Sequence, residues 1–146
     1  MSLLKLPSQK ILAQYLEHCV FTNTSCEDAA NESRPGQWRC QVANLNFPVS
    51  ASVWIQGIVV EILDSNQTVA VDDGTGIIIL TQYNSVAVKV DLRKGMYLMA
   101  VGALLAVHRH AVIKPLKVQD LSNDDHAETM WPLEVLDQVL FLSSQT

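Results

Sequence analysis

The sequence predicts a mainly β fold, a small five-stranded barrel carrying a helix at each end of the chain. Three observations predict it. Residues 53–80 read as three consecutive antiparallel strands, because two turn-rich clusters, Asp64-Ser65-Asn66 and Asp72-Asp73-Gly74-Thr75-Gly76, punctuate runs of Val and Ile. Two strands are long, apolar on both faces and broken by a central glycine, Gly57 in one and Gly102 in the other. Between residues 38 and 121 no long helical pattern separates the strands.

Residues 8–20 place Ile11, Leu12, Tyr15, Leu16, Cys19 and Val20 at helical spacing after Pro7 and Ser8, which predicts an amphipathic helix capped by Ser8. Its apolar stripe closes the barrel rather than lying on a membrane, since Lys5 and Lys10 are its only nearby basic residues. Residues 21–37 lack periodicity and read as a loop. Residues 38–42 form a short lead-in strand, and residues 44–49 an irregular connection.

In the first long strand Val53, Ile55, Gly57 and Val59 share one face, while Trp54, Ile58, Val60 and Ile62 share the other. An antiparallel strand with one wet face would alternate in polarity, so this one needs cover on both sides, from its own fold or from another protein. Gly57 supplies a bend that lets one strand serve two halves of a barrel. Residues 81–95 are a polar loop. Residues 96–107 repeat the design of the first strand around Gly102, and residues 111–118 form the last strand, where Pro115 implies an edge or a bulge. Together these fit a Greek-key barrel of the OB type.

A helix is expected over about residues 126–143. Either Asp125 and Glu128 form a capping box and Pro132 kinks the helix, or Thr129 caps it and Pro132 lies in the first turn. Glu134, Asp137 and Gln138 make a narrow polar stripe, whereas Trp131, Leu133, Val135, Leu136, Val139, Leu140, Phe141 and Leu142 occupy most of the circumference. A helix packed only on its own barrel needs an apolar arc of about 100°. The surplus calls for a partner.

At 146 residues the chain is expected to be one domain, with its core over about residues 38–121. It is 49% hydrophobic and 17% charged, which excludes general disorder. The uncharged run 96–107 is shorter than the ~20 residues of a membrane span, and no basic segment leads into an apolar one at the start, so no membrane association or signal peptide is expected. The triplets at Asn23, Asn31 and Asn66 are then accidental sequons. Cys19, Cys26 and Cys40 are odd in number and irregularly spaced, which fits reduced intracellular thiols better than a disulfide framework; without a paired C-x2-C no metal site, and no cofactor, is expected. The net charge of −5 sits at the end of the chain, where residues 122–146 hold Asp124, Asp125, Glu128, Glu134 and Asp137 and no Lys or Arg. Independent nucleic-acid binding is disfavoured, because phosphate neutralisation needs a basic footprint.

Four segments carry a family resemblance: Val53-Trp54-Ile55-Gln56-Gly57, Gly95-Met96-Tyr97-Leu98-Met99, Leu116-Lys117-Val118-Gln119-Asp120-Leu121-Ser122 and Met130-Trp131-Pro132-Leu133-Glu134-Val135. In order and spacing over about residues 52–140 they resemble the RecQ-mediated genome instability protein 2 family, small OB-fold subunits of the Bloom helicase and topoisomerase III complex. Lys10-Ile11-Leu12-Ala13 adds a shorter similarity, and the turn from Val71 to Gly76 also resembles that of the replication protein A middle subunit. The resemblance implies a non-catalytic nuclear scaffold that pairs with the C-terminal OB domain of a larger sister subunit. Through that subunit it would reach the Bloom-type RecQ helicase and topoisomerase III in double Holliday junction dissolution. DNA is met only through the complex, and the paired surface would receive a peptide of a Fanconi-anaemia translocase. The residues the resemblance marks for partner binding are Trp131, Lys117, Trp54 and Lys10, to which the apolar helix adds Leu133, Leu136, Val139 and Leu140.

Bland readings stand beside these. Trp131 is either a core tryptophan sealing the barrel or a partly exposed anchor. By composition alone Lys117 is a solvated surface residue. Asp72 and Asp73 belong to ordinary Asp-Gly turn chemistry with no base, metal cluster or nucleophile beside them, so catalysis is not expected. His108 and His110 share a strand face, but two histidines without a third ligand make solvated residues, not a metal site. Besides a heterodimer subunit, the OB reading leaves a single-stranded DNA binder, which the resemblance of the turn implies would be of the replication protein A middle-subunit type, and a homodimeric adaptor as alternatives.

Overall fold

Runs of β-branched residues dominate the chain, and the computed structural model, which describes residues 8–22 and 36–144, pairs them into two sheets. The larger sheet holds the short strand β1 (Gln9–Lys10) and five longer ones, β5 (Ser52–Leu63), β6 (Thr68–Asp72), β7 (Ile77–Leu80), β8 (Tyr97–Val107) and β9 (Ala111–Asp120). Their order is β5-β6-β7-β9-β8, and β8 pairs back onto β5, closing a five-stranded barrel. Within the ring only β7 and β9 run parallel. This is the OB topology expected.

The two long strands close the ring because each breaks its register once or more. β5 shifts between Val59 and Glu61 against β6, and β8 shifts between Val101 and Gly102 against β9. Gly102 pairs with Pro115 at the second shift, where an added Cβ would run into the Lys114 carbonyl. Gly57 is equally crowded: its Cβ would lie 2.7 Å from the Asp72 carbonyl oxygen. Both glycines therefore mark close backbone approach. Pro115 lies at the bulge against β8 and beyond Ile113, the last β9 residue paired with β7, so it combines the expected bulge with a side that is locally an edge.

The N-terminal segment departs from expectation. Instead of a helix over 8–20 there is strand β1, a single turn α1 (Ala13–Leu16) and a further strand β2 (Cys19–Thr22). Ser8 caps nothing; its hydroxyl meets that of Ser52 at 3.0 Å. β2 joins β3 (Gln37–Val42) and β4 (Leu45–Val49) in a second, antiparallel sheet, so residues 44–49 are a strand and not an irregular connection. Of the loop expected over 21–37, residues 23–35 lie outside the described residues, as do Cys26, Asn23 and Asn31.

Ile11, Leu16, Phe47, Val53, Ile55, Val59, Ile78, Leu80, Leu98 and Ile113 fill one continuous core, to which the small sheet contributes Cys40, Phe47 and Val49. The helix α2 (Ala127–Ser144) reaches the same core through Trp131, Val135 and Val139. Neither expected cap starts it: Asp124 accepts the His126 amide on its side chain and the Ala127 amide on its carbonyl, leaving Pro132 inside the helix. No described helix is long and apolar enough to cross a membrane.

Candidate interaction surface

Register brings together residues far apart in the chain. Lys10 pairs with Trp54, Trp54 with Val101, and Val101 with Lys117, so Lys10, Trp54 and Lys117 stand in one row across β1, β5, β8 and β9. Residues directly opposite in a sheet share a face. This face is the outer one, because Val53 and Ile55, on either side of Trp54, point into the barrel and are fully buried.

Trp131 is turned onto this row from the helix. Its ring stacks on Trp54 with centroids 6.2 Å apart, and the Lys10 ammonium lies 4.9 Å from the centroid of the Trp54 ring. Lys10 also bridges to Glu134 at 2.7 Å, and its backbone amide donates to Gln138 Oε1 at 2.8 Å. Three of the four residues marked by family resemblance thus bind α2 to the barrel. The junction is chiefly apolar: the indole nitrogens of Trp54 and Trp131 are buried without a hydrogen-bond partner, which costs about 1–3 kcal/mol apiece. Beside it the Tyr97 hydroxyl donates to Gln56 Oε1 at 3.2 Å; burial first, then the carboxylates of Glu128, Asp73 and Glu134, push the Tyr97 phenol up and keep it protonated.

Trp131 is 1% exposed and Val139 0%, so neither presents surface to a second chain. The exposed-anchor reading of Trp131 gives way to the core reading: it seals the barrel from outside. The opposite side of α2 is different. Leu133 (58%), Leu136 (43%) and Leu140 (56%) are exposed, together with Met130 (45%) and Phe141 (63%). At 100° per residue Leu133, Leu136 and Leu140 form a stripe turned away from the Trp131-Val135-Val139 stripe. Phe141 belongs to the wide apolar run read from the sequence, whereas Met130 stands just ahead of it. Lys117 is exposed at the far end of the row, on β9.

The other candidates resolve locally. Asp72 Oδ1 accepts the Gly74 amide, while Asp73 Oδ1 accepts the amide and hydroxyl of Thr75 and Oδ2 accepts the Ala13 amide at 2.7 Å. The Asp-Asp-Gly-Thr-Gly turn is a cap for α1. His108 and His110 flank the tip of the β8–β9 hairpin, closed by a bond from the His108 amide to the His110 carbonyl, and His110 Nδ1 lies 3.9 Å from Glu17. No cluster suited to a metal ion occurs among the described residues.

A model of the family described as RecQ-mediated genome instability protein 2 matches residues 7–139. Among solved structures, a chain of the S. pombe Stn1-Ten1 complex superposes with a TM-score of 0.57 at 14% identity, covering 68% of this chain and 77% of that one. A chain of a replication protein A heterotrimer bound to single-stranded DNA superposes with a TM-score of 0.52 at 19% identity, covering 65% and 76%. At these identities the superpositions establish the OB fold. No curated protein sequence matches the chain.

Proposed function

This chain belongs to the RecQ-mediated genome instability protein 2 family, and from that premise we propose that it is a non-catalytic scaffold subunit of a nuclear genome-maintenance complex. Its partner is the C-terminal OB domain of a larger RecQ-mediated genome instability subunit. Through that subunit it supports a Bloom-type RecQ helicase and topoisomerase III in dissolving double Holliday junctions, and it touches DNA only within the assembly. The paired surface also receives a peptide of a Fanconi-anaemia translocase.

The observation that carries the reading is the unburied stripe Leu133-Leu136-Leu140 on α2, flanked by Met130 and Phe141. Burying such a side chain fully is worth about 1.5–3 kcal/mol, so a partner helix laid along the stripe gains several times that before association entropy is subtracted. Lys10, Trp54 and Trp131 support the surface from beneath by fixing the helix.

The test is co-elution of the purified chain with the sister OB domain on a sizing column. Wild type should give a stable one-to-one species. The double substitution Leu136→Glu, Leu140→Glu should abolish it while leaving the far-ultraviolet circular dichroism spectrum and melting temperature close to wild type, since both side chains are exposed. Two separate wild-type peaks, or an unaffected double variant, would refute this assignment.

A further inference from the structure

We infer that Cys19 and Cys40 form a reversible disulfide that fastens β2 to β3. The two residues are Cα partners in the antiparallel register. Next along the ladder the Gln41 amide donates to the His18 carbonyl at 3.2 Å, which makes Cys19 and Cys40 a non-hydrogen-bonded pair. In such a pair the Cα atoms stand about 4.5 Å apart, just inside the range a disulfide accepts. Both thiols already converge: each donates to the Tyr15 carbonyl, at 3.4 Å from Cys19 and 3.2 Å from Cys40. That carbonyl also accepts the His18 amide, so losing both S–H donors leaves it paired.

The pair is reachable on one side. Cys19 lines an open groove of about 700 Å³ walled by Val20, Phe21, Trp38 and the end of β8 from Leu104 to Val107. Cys40 lies beneath, 0% exposed against 6% for Cys19. Their closeness pushes the Cys40 thiol down and that of Cys19 up.

A small peroxide entering by the groove supplies the oxidant. One sulfur of the pair, as its thiolate, attacks one peroxide oxygen, the O–O bond breaks, and hydroxide leaves to give a sulfenic acid. The other thiol then attacks that sulfur, forming the S–S bond and expelling water. In sum, two thiols and one hydrogen peroxide give one disulfide and two waters. A bridge bordering an open groove lies within reach of small reductants, the behaviour of a responsive disulfide rather than a permanent one. Cross-linking fixes β2, and with it one wall of the groove, against the barrel.

The test treats the folded chain with hydrogen peroxide, blocks remaining thiols with N-ethylmaleimide under denaturing conditions, and maps the peptides by mass spectrometry. A parallel sample carries Cys26→Ala, so that cysteine cannot supply the partner. The expected product is a Cys19–Cys40 linked peptide lighter by two hydrogen atoms, lost on dithiothreitol treatment and absent from both Cys19→Ala and Cys40→Ala. The oxidised Cys26→Ala chain should also melt a few degrees higher than its reduced form, because the bridge restricts the unfolded chain. Recovery of both residues as maleimide adducts, or their oxidation to sulfinic acids without a bridge, would overturn the inference. Because either outcome is read on the isolated chain, it is independent of partner pairing.

Discussion

Trp131 shows how a single side chain decides what a whole helix offers. With its ring on Trp54 and 1% of its surface exposed, it is the largest fully buried side chain. Trp131→Ala should therefore destabilise the isolated chain by about 3–5 kcal/mol, measured by urea titration, before any partner is added. Loss of partner binding without loss of stability would mean that the ring faces the partner instead. Asp73 makes a smaller, separable contribution. It holds the Ala13 amide at 2.7 Å across 60 positions of sequence, and Asp73→Ala should cost about 0.5–2 kcal/mol, as removal of a helix cap does. Thermal melting checks this, and Asp73→Asn, which retains an acceptor oxygen, should recover part of the loss. A pair of aspartates that looks chemical in the sequence thus shapes the β6–β7 turn, and Asp73 pins α1 onto it.

Among the elements, α2 contains an obvious local conflict. Pro132 lies inside the helix and is exposed, so its ring packs little while the helix forgoes the hydrogen bond its amide would have made to Glu128. Pro132→Ala should stabilise the chain by about 1–2 kcal/mol, the restored bond outweighing the added freedom of the unfolded chain. A fall in melting temperature would show instead that the proline sets the entry angle that seats Trp131. The strands of the barrel were legible because their turns carry Asp, Asn and Gly and their interiors carry Val and Ile. The N-terminal helix is shorter than its spacing predicts: Ile11, Leu12, Tyr15 and Leu16 keep helical spacing, yet Cys19-Val20-Phe21-Thr22 is a β-favouring run that finds β3 as partner. β4 was hidden by Asn44, Asn46 and Pro48, although the alternation of Leu45, Phe47 and Val49 was its signal. The turn before it uses Ala43 at a φ of 52°, a left-handed conformation that nothing in that residue type announces.

For the whole molecule, the sequence made the barrel and the surplus apolar surface visible, but not the direction in which α2 faces. A helix that is apolar nearly all round carries no clear periodic mark of its inner side, which is set by the stacking of Trp131 on Trp54, by the Lys10 contacts to Glu134 and Gln138 and by Val135 and Val139 in the core. That same stacking decides whether the barrel works alone on nucleic acid. Single-strand binding by OB folds rests on exposed aromatic platforms beside a basic groove. Here Trp54 is covered by Trp131, Tyr83 and Tyr97 are buried, and the chain carries a net charge of −5. Phe21 and Phe141 are the exposed aromatics among the described residues; Phe21 packs edge-on against Trp38 of the small sheet, and Phe141 sits on an acidic helix. Without a basic footprint there is little counterion release to drive binding, and the acidic field repels the phosphates, so the affinity should be negligible. Titrating a fluorescent single-stranded oligonucleotide with the isolated chain at about 150 mM salt, where screening leaves only close contacts, should give no saturable change in anisotropy. A tight transition whose midpoint moves steeply with salt would assign the barrel a direct role on DNA and remove the need for a partner to carry it there.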